Sequence, residues 1–238
     1  MLPPLSRDER RQSEAVAQLI AAEIAADAGW LSFERFMELA LYAPGLGYYS
    51  AGAFKIGVGG DFTTAPELSG LFGRCLARQC AEVLRIAGGE ILELGAGTGS
   101  LARVLLTELA ALGVLPERYA ILEVSADLAA RQRERLAMLP AALRERVAWL
   151  GHLPARAIKG VILANEVADA LPFRRVRRDD GGGLTEVGVA LARATGDGEE
   201  LPHFAECERP ADAVLTSAWE EIPASVAASL PPGYTTEV

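Results

Sequence analysis

Seven consecutive residues, Glu93-Leu-Gly95-Ala-Gly97-Thr-Gly99, set an acid and three alternating glycines in a spacing that suits a ligand-binding loop. Glycines let the backbone approach a ligand closely, and a helix starting directly after them contributes oriented N–H groups. Glu123 stands 24 residues past Gly99, at the end of the next apolar run, where a carboxylate can accept both hydroxyls of a ribose. A nicotinamide dinucleotide loop needs G-x-G-x-x-G, and here Ser100 occupies the place of the third glycine. The order acid-x-G-x-G-x-G instead suits a cofactor with a ribose but no pyrophosphate, and S-adenosylmethionine fits that description. Glu93, Gly95, Gly97, Gly99 and Glu123 are therefore the candidate cofactor-binding residues.

A second polar group closes a later apolar run: Ala164-Asn165-Glu166-Val167-Ala168-Asp169-Ala170-Leu171-Pro172. In an open α/β sheet the carboxyl edge faces the ligand, which makes Asn165, Glu166 and Asp169 the candidate catalytic residues on the acceptor side. The competing reading has Asn165 and Asp169 capping a short helix while Glu166 faces solvent. Asp61 adds another acid that could converge with them. His152 and His203 are isolated and have no metal-ligand partners at suitable spacing, so no metal is expected.

These residues need a parallel sheet to hold them. From Gly89 onward short apolar strands alternate with amphipathic helices: Ile91 to Leu94, a helix to about Leu112, Tyr119 to Val124, a helix to Met138, Val147 to Leu150, then Val161 to Ala164. That is the βαβ rhythm of a doubly wound sheet. Before it, helical spacing covers Asp8 to Ala28, and Ser32 caps a shorter helix that stops before Pro44. The long glycine-rich loop through Gly57 to Thr63 leads to Thr64 and Glu67, whose capping-box spacing predicts one helix from there to about Ala87. After Pro172, Phe173 to Arg178 and Leu184 to Ala192 read as a hairpin, followed by a helix near Ala211 to Glu221. Tyr48 and Tyr49 read as pinning their loop to the core, with stacking on the cofactor as the alternative. The domain expectation is residues 1–88 as N-terminal helices and cofactor-covering loop, 89–172 as Rossmann-like core and 173–238 as a substrate-side insertion.

At 238 residues and half hydrophobic, the chain can build a core without disulfides or a metal. A net charge of −9 argues against a surface made to neutralise nucleic-acid phosphates or to lie on anionic lipid. A basic protein segment fits that charge as a substrate. Three cysteines at no zinc or redox spacing read as reduced thiols. The charged N-terminus carries no signal-peptide pattern and no run approaches membrane-spanning length, which points to the cytoplasm.

Several of these stretches resemble the methyltransferase family that includes the mitochondrial complex I assembly factor also called MidA, together with its bacterial relatives. The resemblance rests on Ser32-Phe-Glu-Arg-Phe-Met-Glu-Leu-Ala-Leu-Tyr-Ala-Pro-Gly-Leu-Gly-Tyr-Tyr, Gly60-Asp-Phe-Thr-Thr-Ala-Pro-Glu-Leu-Ser, Leu71-Phe-Gly, the glycine loop, Glu123-Val-Ser, and Asn165-Glu through Asp169-Ala-Leu-Pro, in family order. It implies a Rossmann-like class I fold with an N-terminal helical extension and a hairpin-containing insertion. It further implies an S-adenosylmethionine-dependent protein arginine methyltransferase, whose mitochondrial members act on a core subunit of respiratory complex I. Carried over, Gly95, Gly97 and Glu123 hold the cofactor, Asp61 and Thr64 close the loop over it, and Asn165 and Glu166 border the acceptor. Methyl transfer is then direct and in line, with carboxylates such as Glu166 or Asp169 holding a guanidinium. In the family a stretch like Pro232-Gly-Tyr-Thr-Thr-Glu-Val is followed by further sheet strands, so the chain reads as the N-terminal part of a longer protein with its C-terminal strands missing. The alternative function is a non-catalytic cofactor-binding assembly factor or a truncated, inactive fragment.

Overall fold

The structure is a computed structural model that describes residues 6–50, 64–179, 181, 183–192, 201–231 and 233–238. It divides into two compact units, residues 52–170 and residues 1–51 with 171–238. The N-terminal helices thus group with the C-terminal hairpin, while the helices after residue 64 group with the parallel sheet.

In the first part of the chain, α1 (Arg7–Ala26) starts at a capping box, in which the Ser6 hydroxyl accepts the Glu9 N–H and the Glu9 carboxylate accepts the Ser6 N–H. Its buried stripe carries Ile20 and Ile24. A short β1 (Leu31–Ser32) leads to α2 (Phe33–Tyr42), which Ser32 caps through the Arg35 N–H and which ends at Ala43, before Pro44. Beyond it Tyr48 and Tyr49 return to α2, their N–H groups donating to the Ala40 and Leu41 carbonyls, and the Tyr49 ring stacks on Tyr42. This is the pinning role.

The second unit begins with α3 (Ala65–Leu68) and α4 (Gly70–Ala87). One continuous helix was the expectation; the chain breaks at Ser69, which is fully extended and caps α4 by accepting the Leu71 N–H. Then follow β2 (Glu90–Leu94), α5 (Ser100–Ala111), β3 (Tyr119–Leu122), α6 (Ala126–Ala137), α7 (Ala141–Arg144), β4 (Val147–Leu150) and β5 (Gly160–Ala164), with a 3-10 turn at Ala168–Ala170. All neighbouring strands are parallel in the order β4-β3-β2-β5, so Leu92 lies beside Ala120 on one side and Ile162 on the other. Leu101, Leu105, Leu106 and Leu109 of α5 pack with Leu84, Ile91, Tyr119, Ile121 and Leu136 in one core. The chain winds from β2 outward through β3 and β4, then returns to the opposite side of β2 with β5. This reversal makes a switch point between β2 and β5, and ligands in such sheets bind outside the strand ends there.

The first unit is completed by β6 (Arg175–Arg178), β7 (Leu184–Leu191), β8 (Phe204–Pro210), α8 (Ala213–Glu220), α9 (Ala224–Ser229) and β9 (Thr235–Glu237). Its sheet is antiparallel and runs β1-β7-β6-β9, with β8 along the other edge of β7. The hairpin turn is held by Asp179, whose Oδ1 accepts the N–H groups of Gly181 and Gly183. Strand β8 goes beyond the sequence reading. Its exposed alternate positions carry Glu206 and Glu208, which pair with Arg175 and Arg177 across β7, so a charged ladder replaces the apolar pattern that would have marked it.

Candidate functional site

The glycine loop leaves the sheet at the switch point. The Gly95 N–H still donates to the Leu122 carbonyl at 2.9 Å, and beyond it Gly95, Gly97 and Gly99 take φ values of 61°, 54° and 81°. An L side chain in this left-handed region costs roughly 1–2 kcal/mol, which is the physical demand for glycine at alternate positions. Gly99 is the N-cap of α5, and the Gly99 N–H closes the turn on the Ala96 carbonyl at 2.8 Å. A Cβ on Gly95 would lie 3.3 Å from the Val167 side chain, so the loop and the segment after β5 meet closely.

Glu123 follows directly on β3. Its Oε1 accepts the Ser125 N–H at 2.9 Å, and its Oε2 accepts the Gln132 amide at 2.8 Å. The same Gln132 amide donates to the Gly97 carbonyl at 2.9 Å, while its oxygen accepts the Trp149 indole N–H at 2.9 Å. Gln132 is 0% exposed and ties loop, carboxylate and β4 together. Desolvation raises the Glu123 pKa, against hydrogen bonds from Ser125 and Gln132 that lower it. Sequence reasoning missed Gln132. Nothing in the local pattern marks it, because its partners Glu123, Trp149 and Gly97 lie 9, 17 and 35 residues away on other elements.

Glu93 takes a different place from Glu123. It is 3% exposed and accepts the Tyr119 hydroxyl at 2.8 Å, and burial pushes its carboxyl up to about 7. It backs the loop from inside the sheet.

Thr64 is the N-cap of α3, yet its side chain makes no capping bond. The expected capping box fails because Glu67 is drawn elsewhere: its carboxylate accepts the Thr98 hydroxyl, and it pairs with Arg135 at 3.6 Å. Arg135 also donates to the hydroxyls of Thr98 and Ser100. Ser100, where a dinucleotide loop has its third glycine, thus carries a hydroxyl engaged with α6. Asp61 lies outside the described residues.

Asn165, Glu166 and Asp169 follow β5 on the other side of the switch point. Asn165 is half-buried, while Glu166 and Asp169 are exposed. Glu166 has φ 56°, an uncommon conformation for a residue with a Cβ. The 3-10 turn at Ala168–Ala170 forms, with the Ala170 N–H donating to the Val167 carbonyl, and no side-chain bond from Asn165 or Asp169 caps it among the described residues. The structure therefore joins Gly97 and Glu123 through Gln132, and Gly95 with the 165–169 segment through Val167. Among the described residues no cluster of three or more His, Cys, Asp or Glu is arranged to hold a metal ion, and no helix is long and apolar enough to cross a membrane.

The donor set fits a ribose-bearing cofactor. Each Glu123 oxygen accepts one N–H and keeps a second lone pair for a hydroxyl, beside a loop whose glycines leave the backbone uncovered. The fold is that of a Rossmann-like α/β protein, and the candidate site carries groups that suit a nucleoside. The family model of S-adenosyl-L-methionine-dependent methyltransferases matches residues 75–238, and the chain belongs to that family. Over its whole length it is similar to a Burkholderia thailandensis protein solved with S-adenosyl-homocysteine bound, at 44% identity and a TM-score of 0.83, covering 59% of that chain. A second, native structure from the same organism has 42% identity, a TM-score of 0.80 and 58% coverage of that chain. The mitochondrial protein arginine methyltransferase NDUFAF7 of Danio rerio is 36% identical over 132 residues, which are 52% of this chain and 31% of that protein. The chain thus spans about a third of that relative and under three fifths of the solved ones. S-adenosylmethionine is the cofactor of this family, and the homocysteine form in the solved relative is its product.

Proposed function

We propose that this chain supplies the cofactor site of an S-adenosylmethionine-dependent methyltransferase that acts on arginine in a protein substrate. The observation that carries the reading is the Glu123 carboxylate fixed beside a left-handed glycine loop at the sheet's switch point. Glu123 accepts the ribose hydroxyls, Gly95, Gly97 and Gly99 admit the cofactor to the backbone, and Glu93 holds the loop from beneath. Thr64, the N-cap of α3, borders the site, and Asp61 is assigned to the cofactor by the family resemblance alone. When bound, the cofactor supplies an activated methyl on a sulfonium.

On the acceptor side, Asn165, Glu166 and Asp169 orient the nucleophilic nitrogen. A planar guanidinium suits bidentate acceptance by a carboxylate, and Glu166 and Asp169 are accessible for that contact. The mitochondrial relatives named as protein arginine methyltransferases support arginine as the acceptor, and the family resemblance extends it to a complex I subunit. The work of these residues is alignment and electrostatics, with no covalent intermediate on the protein.

Incubation with methyl-labelled S-adenosylmethionine and arginine-containing or lysine-containing peptides tests the reading. Label on arginine, cut about tenfold or more by Glu166→Gln, is the expected result. Label on lysine instead of arginine would contradict the arginine assignment, and cofactor binding with no label on either peptide would leave a binding protein.

A further inference from the structure

Gln132 sits at the one point where the glycine loop, the ribose carboxylate and β4 meet, and no step of the proposed chemistry uses it. Its amide orientation follows from its partners. The Trp149 indole N–H can only donate, so the Gln132 oxygen faces it; the Gly97 carbonyl and the Glu123 carboxylate accept, so the two amide hydrogens face them. Every hydrogen-bonding site of this wholly buried side chain that carries a proton is used. On Glu123, the two hydrogen bonds come from donors, Ser125 and Gln132, and the Val124 backbone N–H acts in the same sense. A shell of donors selects the carboxylate anion, and only the anion can accept from two ribose hydroxyls at once.

Resting on the cofactor-site reading above, we propose that Gln132 is the positioning residue of that site: it spans the glycine loop and the ribose carboxylate and keeps Glu123 an acceptor. Burial raises the Glu123 pKa while the Gln132 bond lowers it, so removing the amide moves Glu123 further toward protonation. The other titratable groups around it work in the same sense or not at all. Glu93 on β2, its carboxyl pushed up to about 7, repels Glu123 only where it is ionised, Tyr119 on β3 is engaged with Glu93, and Cys80 on α4 is held neutral by burial. Arg133 of α6 stacks over the Trp149 ring at 4.9 Å. No arginine is bonded to Glu123 among the described residues, so its charge is stabilised by the Ser125 and Val124 backbone N–H groups and by Gln132, the one side chain among these donors.

The test is calorimetric titration of the chain with S-adenosylhomocysteine from pH 5.5 to 8.5, with thermal melts as a check of folding. Gln132→Met keeps the side-chain length and loses both donors. Its affinity is expected to fall about tenfold at neutral pH, with the acid limb of its pH profile displaced upward from that of the parent chain. Gln132→Glu gives the opposite slope: ionised, it repels Glu123, and as pH falls the shared proton restores a donor, so affinity recovers toward acid before it declines. Parent-like affinity and profile in both variants, or an equal loss at every pH in both, would overturn the positioning role. Absence of binding by the parent chain would instead remove the cofactor reading itself, and the role of Gln132 with it.

Discussion

At the scale of single residues, two glutamates of similar sequence context do different work. Glu123 meets solvent at the strand end, whereas Glu93 lies inside the sheet with its carboxyl pushed up to about 7 from an ordinary 4.5. A carboxyl with a raised folded pKa contributes stability that is complete below about 4.5 and is lost as pH rises through 7. The size of the loss is about 3 kcal/mol. Chemical denaturation of the parent and Glu93→Gln at pH 4.5 and pH 8 is expected to show the parent losing that amount relative to the variant. Equal pH dependence of the two would place the titrating group elsewhere. The acid and glycine spacing of the loop was legible because a cofactor loop constrains residue type directly. Gln132 was not, since nothing in the local pattern distinguishes an amide that bridges three elements from one that faces solvent.

At the scale of elements, the sheet strands and their helices follow the apolar rhythm closely, because buried parallel strands must be near-continuously apolar. Legibility failed where a tertiary partner overrode a local signal. Glu67 has the spacing to cap α3, yet Thr98 and Arg135 claim its carboxylate, and the helix breaks at Ser69. Since Ser69 caps α4, Ser69→Ala is expected to cost about 1 kcal/mol in denaturant unfolding, an effect that a continuous helix through 64–87 would not give. Strand β8 escaped for a related reason: its side chains serve ion pairs on an exposed face, so alternation of apolar and polar residues is weak. Asn165, Glu166 and Asp169 were legible as a polar cluster at a strand end; the left-handed turn at Glu166 was not, because a residue with a Cβ gives no sequence sign of it.

At the scale of the molecule, the candidate cofactor groups all belong to the unit of residues 52–170, and the antiparallel sheet belongs to the other. That sheet carries its own buried charge. Glu186 is 0% exposed and accepts from Arg174 at 2.7 Å and Arg209 at 3.0 Å, while Arg174 reaches Asp212 and Arg209 covers the Trp30 ring. Glu186→Ala leaves two arginines without their shared partner and is expected to destabilise the chain by about 3 kcal/mol, at the low end for buried pairs because Arg209 is nearly half exposed. Thermal melting reads that loss, and S-adenosylhomocysteine affinity at a temperature where the variant is folded is expected to stay at the parent value. In the parallel sheet, β5 stands at the edge among the described residues, with Ile162 58% exposed. An apolar parallel edge is a site for further pairing, and the matched relatives are longer than this chain.

The central claim is that Glu123 and the glycine loop form a site for S-adenosylmethionine. Calorimetric titration with S-adenosylmethionine and S-adenosylhomocysteine, using Glu123→Ala and Gly97→Val as variants and NAD as the competing ligand, tests it most directly. Saturable binding by the parent chain, lost in both variants and undisturbed by NAD, is the predicted result. A folded parent chain that binds neither sulfur cofactor, or that binds them equally well without the Glu123 carboxylate, would contradict it.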